Sequence, residues 1–226
     1  MNKKNIGILG LGNRSTLYYI DELNKKYNAL FKGYSTCPFI LYNIDFENVN
    51  PFLPNQFNKL KPLLSLYIKE IKNLGINFLL IPNITLHETI DKIYIDLDIA
   101  HPVQLTIDKL VERKQNEAVI FGSLYTMETA YLKDAFLRKK IVLAEPNRED
   151  KYFIDYFRKQ IYHEQETERD IREYRNLLKS YSKKYPVIIG CTELSIYASK
   201  DQANLYDMAL LQIERTLSIF NKRSSD

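Results

Sequence analysis

Six short apolar runs, each broken at or near its end by Gly, Pro or Asn, constrain the fold of this chain more than any other feature. They are NIGILG (5–10), PFILYNID (38–45), NFLLIPN (77–83), EAVIFG (117–122), KIVLAEPN (140–147) and PVIIGC (186–191). Unbroken apolar runs of this length are the pattern of strands buried on both faces, as in a parallel sheet. Helical spacing fills the intervals. Phe57, Leu60, Leu64, Tyr67, Ile71 and Leu74 predict a helix over 57–74 that stops at Gly75, and Tyr206, Leu210, Ile213, Leu217 and Phe220 predict another at the end of the chain. Strand and helix in alternation give βαβ units with right-handed crossovers, hence an α/β fold whose working loops lie at the carboxyl ends of the strands. The charge-dense span 161–184 predicts one long helix with a solvated face.

The pattern repeats within the chain. Gly122, at the end of the fourth run, follows Gly10, at the end of the first, by 112 residues, and Cys191 follows Asn83 by 108. Two βα halves of similar design are expected. If the halves face each other, their loops meet in a cleft suited to a small ligand.

Composition narrows the function classes. Against 28 Asp and Glu stand 32 Lys and Arg, evenly scattered, so no nucleic-acid or anionic-membrane partner is expected. No apolar stretch approaches the roughly 20 residues that span a bilayer, and the N-terminal stretch lacks a long apolar core with a cleavage site; a cytoplasmic protein is expected. Two cysteines, Cys37 and Cys191, with three histidines, His87, His101 and His163, are too few for a zinc site or a disulfide framework, so no metal is expected.

GLGNRS (10–15) approximates a dinucleotide-binding fingerprint, but the stretch about 20 residues on holds no acidic residue. A tight turn presenting backbone N–H groups to some other anion fits better. Cys191 falls where a strand gives way to the helix-like TELSIYAS, and a helix N-terminus stabilises a thiolate. A reactive thiol and a small buried hydrophobe both remain open at this point. Cys37 precedes its strand, at the amino edge of the sheet, and is read as structural. His87 is read as loop support, while His101 and His163 stand in no constellation.

Together these stretches resemble the aspartate/glutamate racemase family, which works without pyridoxal phosphate through a pair of cysteines. IGILGLGNRST (6–16) is similar to the family's N-terminal Gly-rich loop, LYNIDF (41–46) to its second strand, YTMETAYL (125–132) to its Thr-containing anion loop, and GCTEL (190–194) to its second cysteine motif. LYD (205–207) continues the likeness before the last helix. Glu193, in place of the His usual in glutamate racemases, resembles the aspartate-racemase branch.

The resemblance implies two flavodoxin-like lobes with parallel sheets related by pseudo-twofold symmetry and a cleft between them. Residues 1–100 would form the first lobe, completed by the C-terminal helix in 204–226, and 101–203 the second. It also implies a homodimer, no cofactor, and an amino-acid or dicarboxylic-acid substrate. Its catalytic set maps onto Cys191, Asn83, Thr85 and Glu193. Its substrate-binding set maps onto Ser15, Thr16, Ser123, Thr126 and Thr192, with the hydroxyls as donors to the developing enediolate, and onto the position of Ile84. Arg14 departs from the family's pattern, and its planar fork is read either as a ligand for a second carboxylate or as an exposed surface arginine.

One departure matters most. The family's first cysteine motif reads Pro-Cys-Asn-Thr, followed by one residue and His; here PNITLH (82–87) places Asn83 at the cysteine and Ile84 at the asparagine. An amide has no accessible change of protonation near neutral pH. Three readings follow: a racemase or epimerase of an acidic amino acid acting through Cys191, whose second donor is Thr85, His87 or a water held by Asn83; a one-thiol decarboxylase of a malonate-like acid; or a non-catalytic amino-acid-binding protein.

Overall fold

A computed structural model describes residues 5–199 and 204–221. In chain order the elements are β1 (Ile6–Gly10), α1 (Asn13–Phe31), β2 (Ile40–Asn43), α2 (Phe57–Asn73), β3 (Phe78–Leu80), α3 (His87–Ile90) and β4 (Asp98–Ile99). There follow α4 (Pro102–Glu112), β5 (Glu117–Phe121), α5 (Leu124–Glu128), α6 (Ala130–Leu137), β6 (Val142–Ala144) and α7 (Arg148–Tyr162). The last are α8 (Glu168–Ser182), β7 (Val187–Ile189), α9 (Thr192–Tyr197), β8 (Leu205–Asp207) and α10 (Met208–Asn221). The chain divides into two compact units, one holding the described residues up to His101 and those from Gln212 onward, the other Pro102–Leu211.

In the first unit all strands run parallel in the order β2-β1-β3-β4. β1 is buried along its whole length, as its unbroken apolar run requires. On one side α2 lays Leu60, Leu64, Ile68 and Ile71 against Leu9, Leu79 and Ile81 of the sheet; each such side chain removed from water contributes roughly 2 kcal/mol. α1 and α10 are joined by the hydrogen bond from the Tyr19 hydroxyl to Gln212 Oε1. Gln212 in turn donates to the Ala100 carbonyl at 2.6 Å, so both ends of its buried amide are satisfied.

The second unit has the same plan, β6-β5-β7-β8, again all parallel. Its core joins Val119, Phe121, Val187 and Ile189 to Ile154, Phe157 and Ile161 of α7 and to Tyr174 and Leu178 of α8. The register explains the spacing seen in the sequence. Ile8 pairs with Leu80 in the first sheet and Ile120 with Ile188 in the second. Those partners are displaced by the same 112 and 108 residues that relate Gly10 to Gly122 and Asn83 to Cys191. Asn83 and Cys191 therefore occupy equivalent places on equivalent strands.

Three expectations change. β2 and β6, whose apolar runs predict strands buried on both faces, lie at the sheet edges and are largely exposed or half-buried. β4 and β8 stand at the sheet edges beyond the six apolar runs; with two and three residues they are too short to show a period. The single helix expected over 161–184 is two helices. α7 ends at Tyr162, Glu164 adopts a left-handed conformation (φ 56°), and Thr167 starts α8 with a capping box closed by Asp170. A Thr followed three residues later by an acidic residue is a helix start, and that signal lay unread within the charged run.

Candidate functional site

The loops at the carboxyl ends of the central strands carry most of the residues singled out in the sequence. In the first unit, the turn from β1 into α1 braces itself. The Leu11 N–H donates to Thr16 Oγ1 at 3.0 Å, and the buried Ser15 hydroxyl donates to the Gly12 carbonyl at 3.1 Å. Glycine at position 10 leaves room for the Asn43 side chain, whose Oδ1 lies 2.3 Å from where a Cβ would stand. Arg14 sits on the first turn of α1 and is partly exposed.

On the adjacent strand β3, the segment Pro82–His87 is held from within. Asn83 Oδ1 accepts the Leu86 N–H at 3.1 Å, and His87 Nδ1 lies 2.9 Å from the Asn83 carbonyl, a contact that makes Nδ1 the protonated nitrogen. Ile84 is buried and Thr85 partly so. His87 is fully enclosed, with its ring edge-on to His101 at 4.8 Å between centroids. Burial first, and the neighbouring His101 second, lower its pKa to about 3, so it is neutral at ordinary pH. Of the candidates in this segment, then, His87 acts on the loop, and Asn83 keeps its NH2 group as the available function.

In the second unit the corresponding loops interlock. Ser123 caps α5 by accepting the Thr126 N–H at 3.1 Å, and the two hydroxyl oxygens lie 2.9 Å apart. The Thr126 methyl fills the space above both strand ends: a Cβ at Gly122 would meet it at 2.8 Å, and one at Gly190 at 3.0 Å. Glycine at these two points lets the β5 and β7 loops close up, which brings Ser123 and Thr126 to the strand end that carries Cys191. Thr192 is buried in the first turn of α9.

Cys191 occupies the position before α9 and donates its thiol hydrogen to Glu193 Oε2 at 2.9 Å. Although the residue retains some exposure, burial of the thiol pushes its pKa well above the ordinary value. The Glu193 carboxylate pushes it further, and the Arg158 guanidinium pulls the other way. The thiolate stabilisation expected from a helix N-terminus is thus reversed. α9 is only six residues long, and its first turn carries the negative charge of Glu193. Cys37, by contrast, is buried away from any charged neighbour, and burial alone takes its thiol to about 12.

Support for this loop comes from residues of α7 and α8 that no motif in the sequence marks. Asp155 of α7, 4% exposed, accepts the Leu124 N–H at 3.2 Å, Arg158 Nε at 2.8 Å and Lys159 Nζ at 2.6 Å. Burial opposes its charge, but Lys159, Arg158 and Leu124 outweigh it and keep the carboxyl below its usual range. The buried Tyr174 donates to the Leu194 carbonyl at 3.1 Å, and burial, then Asp207, then Cys191 hold its phenol in the protonated form. The clue available was an acid three residues before an Arg and four before a Lys, all on one helix face. Among the described residues no group of His, Cys, Asp and Glu is arranged to hold a metal, and no described helix is long and apolar enough to cross a membrane.

No protein-family model matches the chain, and no curated protein is significantly similar to it in sequence. Solved structures are similar in fold. An aspartate racemase homologue from Pyrococcus horikoshii OT3 superimposes with a TM-score of 0.82 at 20% identity, covering 96% of this chain and 99% of that one. The aspartate racemase of Picrophilus torridus gives 0.76 at 16% identity, over 96% and 94%. A glutamate racemase isoform from Bacillus anthracis gives 0.60 at 13% identity, over 99% and 84%. Two parallel four-stranded sheets with flanking helices are thus the architecture of aspartate and glutamate racemases of known structure.

Proposed function

We propose that this protein is a cofactor-independent amino-acid isomerase of the racemase type, acting on a small acidic amino acid through Cys191. The observation that carries this reading is the hydrogen bond from the Cys191 thiol to Glu193 at the end of β7; the hydroxyls of Ser123, Thr126 and Thr192 are the proposed donors to the substrate. The likeness in fold to aspartate and glutamate racemases adds to it.

The chemistry follows from proton affinities. Glu193 is the proposed acceptor of the thiol proton; the transfer is uphill, because the buried thiol holds its proton more tightly than a carboxylate does, and the minor thiolate it forms is strongly basic for the same reason. That thiolate removes the α-proton; the C–H electron pair moves into the substrate carboxylate, and the enediolate oxygens take hydrogen bonds from the threonine and serine hydroxyls. Reprotonation at the α-carbon by the Cys191 thiol restores the starting enantiomer. With an amide at position 83, the proton that completes inversion is delivered by water rather than by a second thiol, and the hydroxide left behind is neutralised through solvent by the proton held on Glu193. Exchange of the α-proton is therefore expected to outpace inversion. Arg14 is the proposed ligand for the side-chain carboxylate that distinguishes an acidic substrate.

The test is incubation with each enantiomer of Asp and Glu in D₂O, with loss of the α-proton followed by NMR and inversion by chiral chromatography. Exchange that disappears in Cys191→Ser is the expected result. Undiminished exchange in that variant, or none in the native protein with any amino acid, would remove the reading.

A further inference from the structure

We propose that Asp155 and Arg158 form a positioning pair for the Cys191 loop, with Asp155 pinning the Ser123–Thr126 turn through Leu124 and, by the same carboxylate, fixing the Arg158 guanidinium beside that loop. The inference rests on the racemase-type reading only for its consequence in turnover; the contacts exist whatever the reaction is.

A carboxylate that is 4% exposed is strongly destabilising unless its charge and its lone pairs are answered. Asp155 is answered three times, by a backbone N–H and by two cations that follow it on the same helix. A simple structural role for α7 would be met as well by an apolar residue at 155, since the helix already buries Ile154, Phe157 and Ile161. What the carboxylate adds is a link between two elements. Leu124 opens α5, and its N–H is directed at Asp155 while the hydroxyls of Ser123 and Thr126 engage each other on the same turn. α7 also packs against α9, the helix that starts at Cys191.

Arg158 stands on α7, the helix that packs against α9, and is tied to the carboxylate that holds the Leu124 N–H, which places its charge to favour the thiolate. Around Cys191 stand Glu193 on its own helix, Arg158 on α7, and Tyr174 on α8, the last of which also feels Asp207. Glu193 favours the thiol and Arg158 favours the thiolate. Because the Arg158 Nε is tied to Asp155 at 2.8 Å, the guanidinium is held in place instead of swinging into solvent.

Alkylation of Cys191 by iodoacetamide as a function of pH, measured by peptide mapping, tests the pair without any substrate. Cys37 serves as the buried internal control. In Arg158→Gln the midpoint of the alkylation profile should move to higher pH, with the rate at pH 8 lowered about threefold or more, equivalent to half a pKa unit. Arg158→Lys, which keeps the charge, should restore most of the rate. Asp155→Asn, which releases the guanidinium, should move the midpoint the same way as Arg158→Gln; a move to lower pH would be the sign of a lost negative charge without positioning and would overturn the proposal. Profiles that coincide for native protein, Arg158→Gln and Asp155→Asn, with circular dichroism unchanged, would overturn the proposal. If Arg158→Gln does not fold, equal profiles for native protein and Asp155→Asn overturn it alone. A shifted profile in a protein that exchanges no α-proton would leave this pair standing and remove the isomerase reading.

Discussion

Asn83 Oδ1 accepts the backbone N–H of Leu86 at 3.1 Å, so the amide that stands at the place equivalent to Cys191 also holds its own loop together. Replacing it by a thiol is therefore not a neutral restoration. Asn83→Cys should lower stability by about 1 kcal/mol, the usual loss for a side chain that caps a helical turn. If the proposed function is right, it should also raise the ratio of inversion to exchange in D₂O. Thermal denaturation measures the first effect and chiral chromatography the second; a variant no less stable than the native protein would show that the Leu86 bond contributes nothing.

Glu193 has two opposed effects on Cys191, and one substitution separates them. As a negative charge it disfavours the thiolate; as the acceptor of the thiol proton it enables turnover. Glu193→Gln should speed alkylation of Cys191 near pH 8 while slowing α-proton exchange by roughly 10²-fold, the size of a lost general base. A parallel fall in both rates would mean that Glu193 only supports the loop.

Thr126 sits in the angle between Gly122 and Gly190, and that packing predicts a coupled pair of substitutions. Gly122→Ala places a Cβ 2.8 Å from the Thr126 methyl and 2.9 Å from its Cβ. Such overpacking costs typically about 1–3 kcal/mol. Adding Thr126→Ser removes the methyl but keeps the hydroxyl, so the double variant should recover part of the loss. Denaturant midpoints for the two single variants and the double variant give the coupling directly; strict additivity would contradict the packing described.

His87 supplies a pH dependence of stability. Its folded-state pKa is lowered to about 3, against about 6.5 in an unfolded chain. The folded state thus binds fewer protons between these values, and the contribution is complete above pH 6.5 and lost as the pH falls toward 3. At pH 4.5 the loss is about 3 kcal/mol at a cost of about 1.4 kcal/mol per unit. Thermal melts at pH 7 and 4.5 should differ by less in His87→Gln than in the native protein. An equal difference in both would place the acid sensitivity elsewhere.

By itself the sequence determined the alternation of strand and helix, because a strand buried on both faces leaves an unbroken apolar run and an amphipathic helix leaves a 3.6-residue period. It also determined that the two halves share a register, through Gly10 and Gly122 on the first strand of each and Asn83 and Cys191 on the third, and hence that only one of the two equivalent places holds a thiol. Only the tertiary structure decided the rest. β4 and β8 are strands because β3 and β7 offer them an edge, not because three residues carry a pattern. The helix break before Thr167 lay in the sequence as a capping signal but was masked by uniform charge. The proton affinity of Cys191 was beyond local reading, since it is the balance of burial, a carboxylate two residues away and a guanidinium from another helix. Electrostatic energies depend on distances in space and on excluded water, and neither is written in the spacing of residues along the chain.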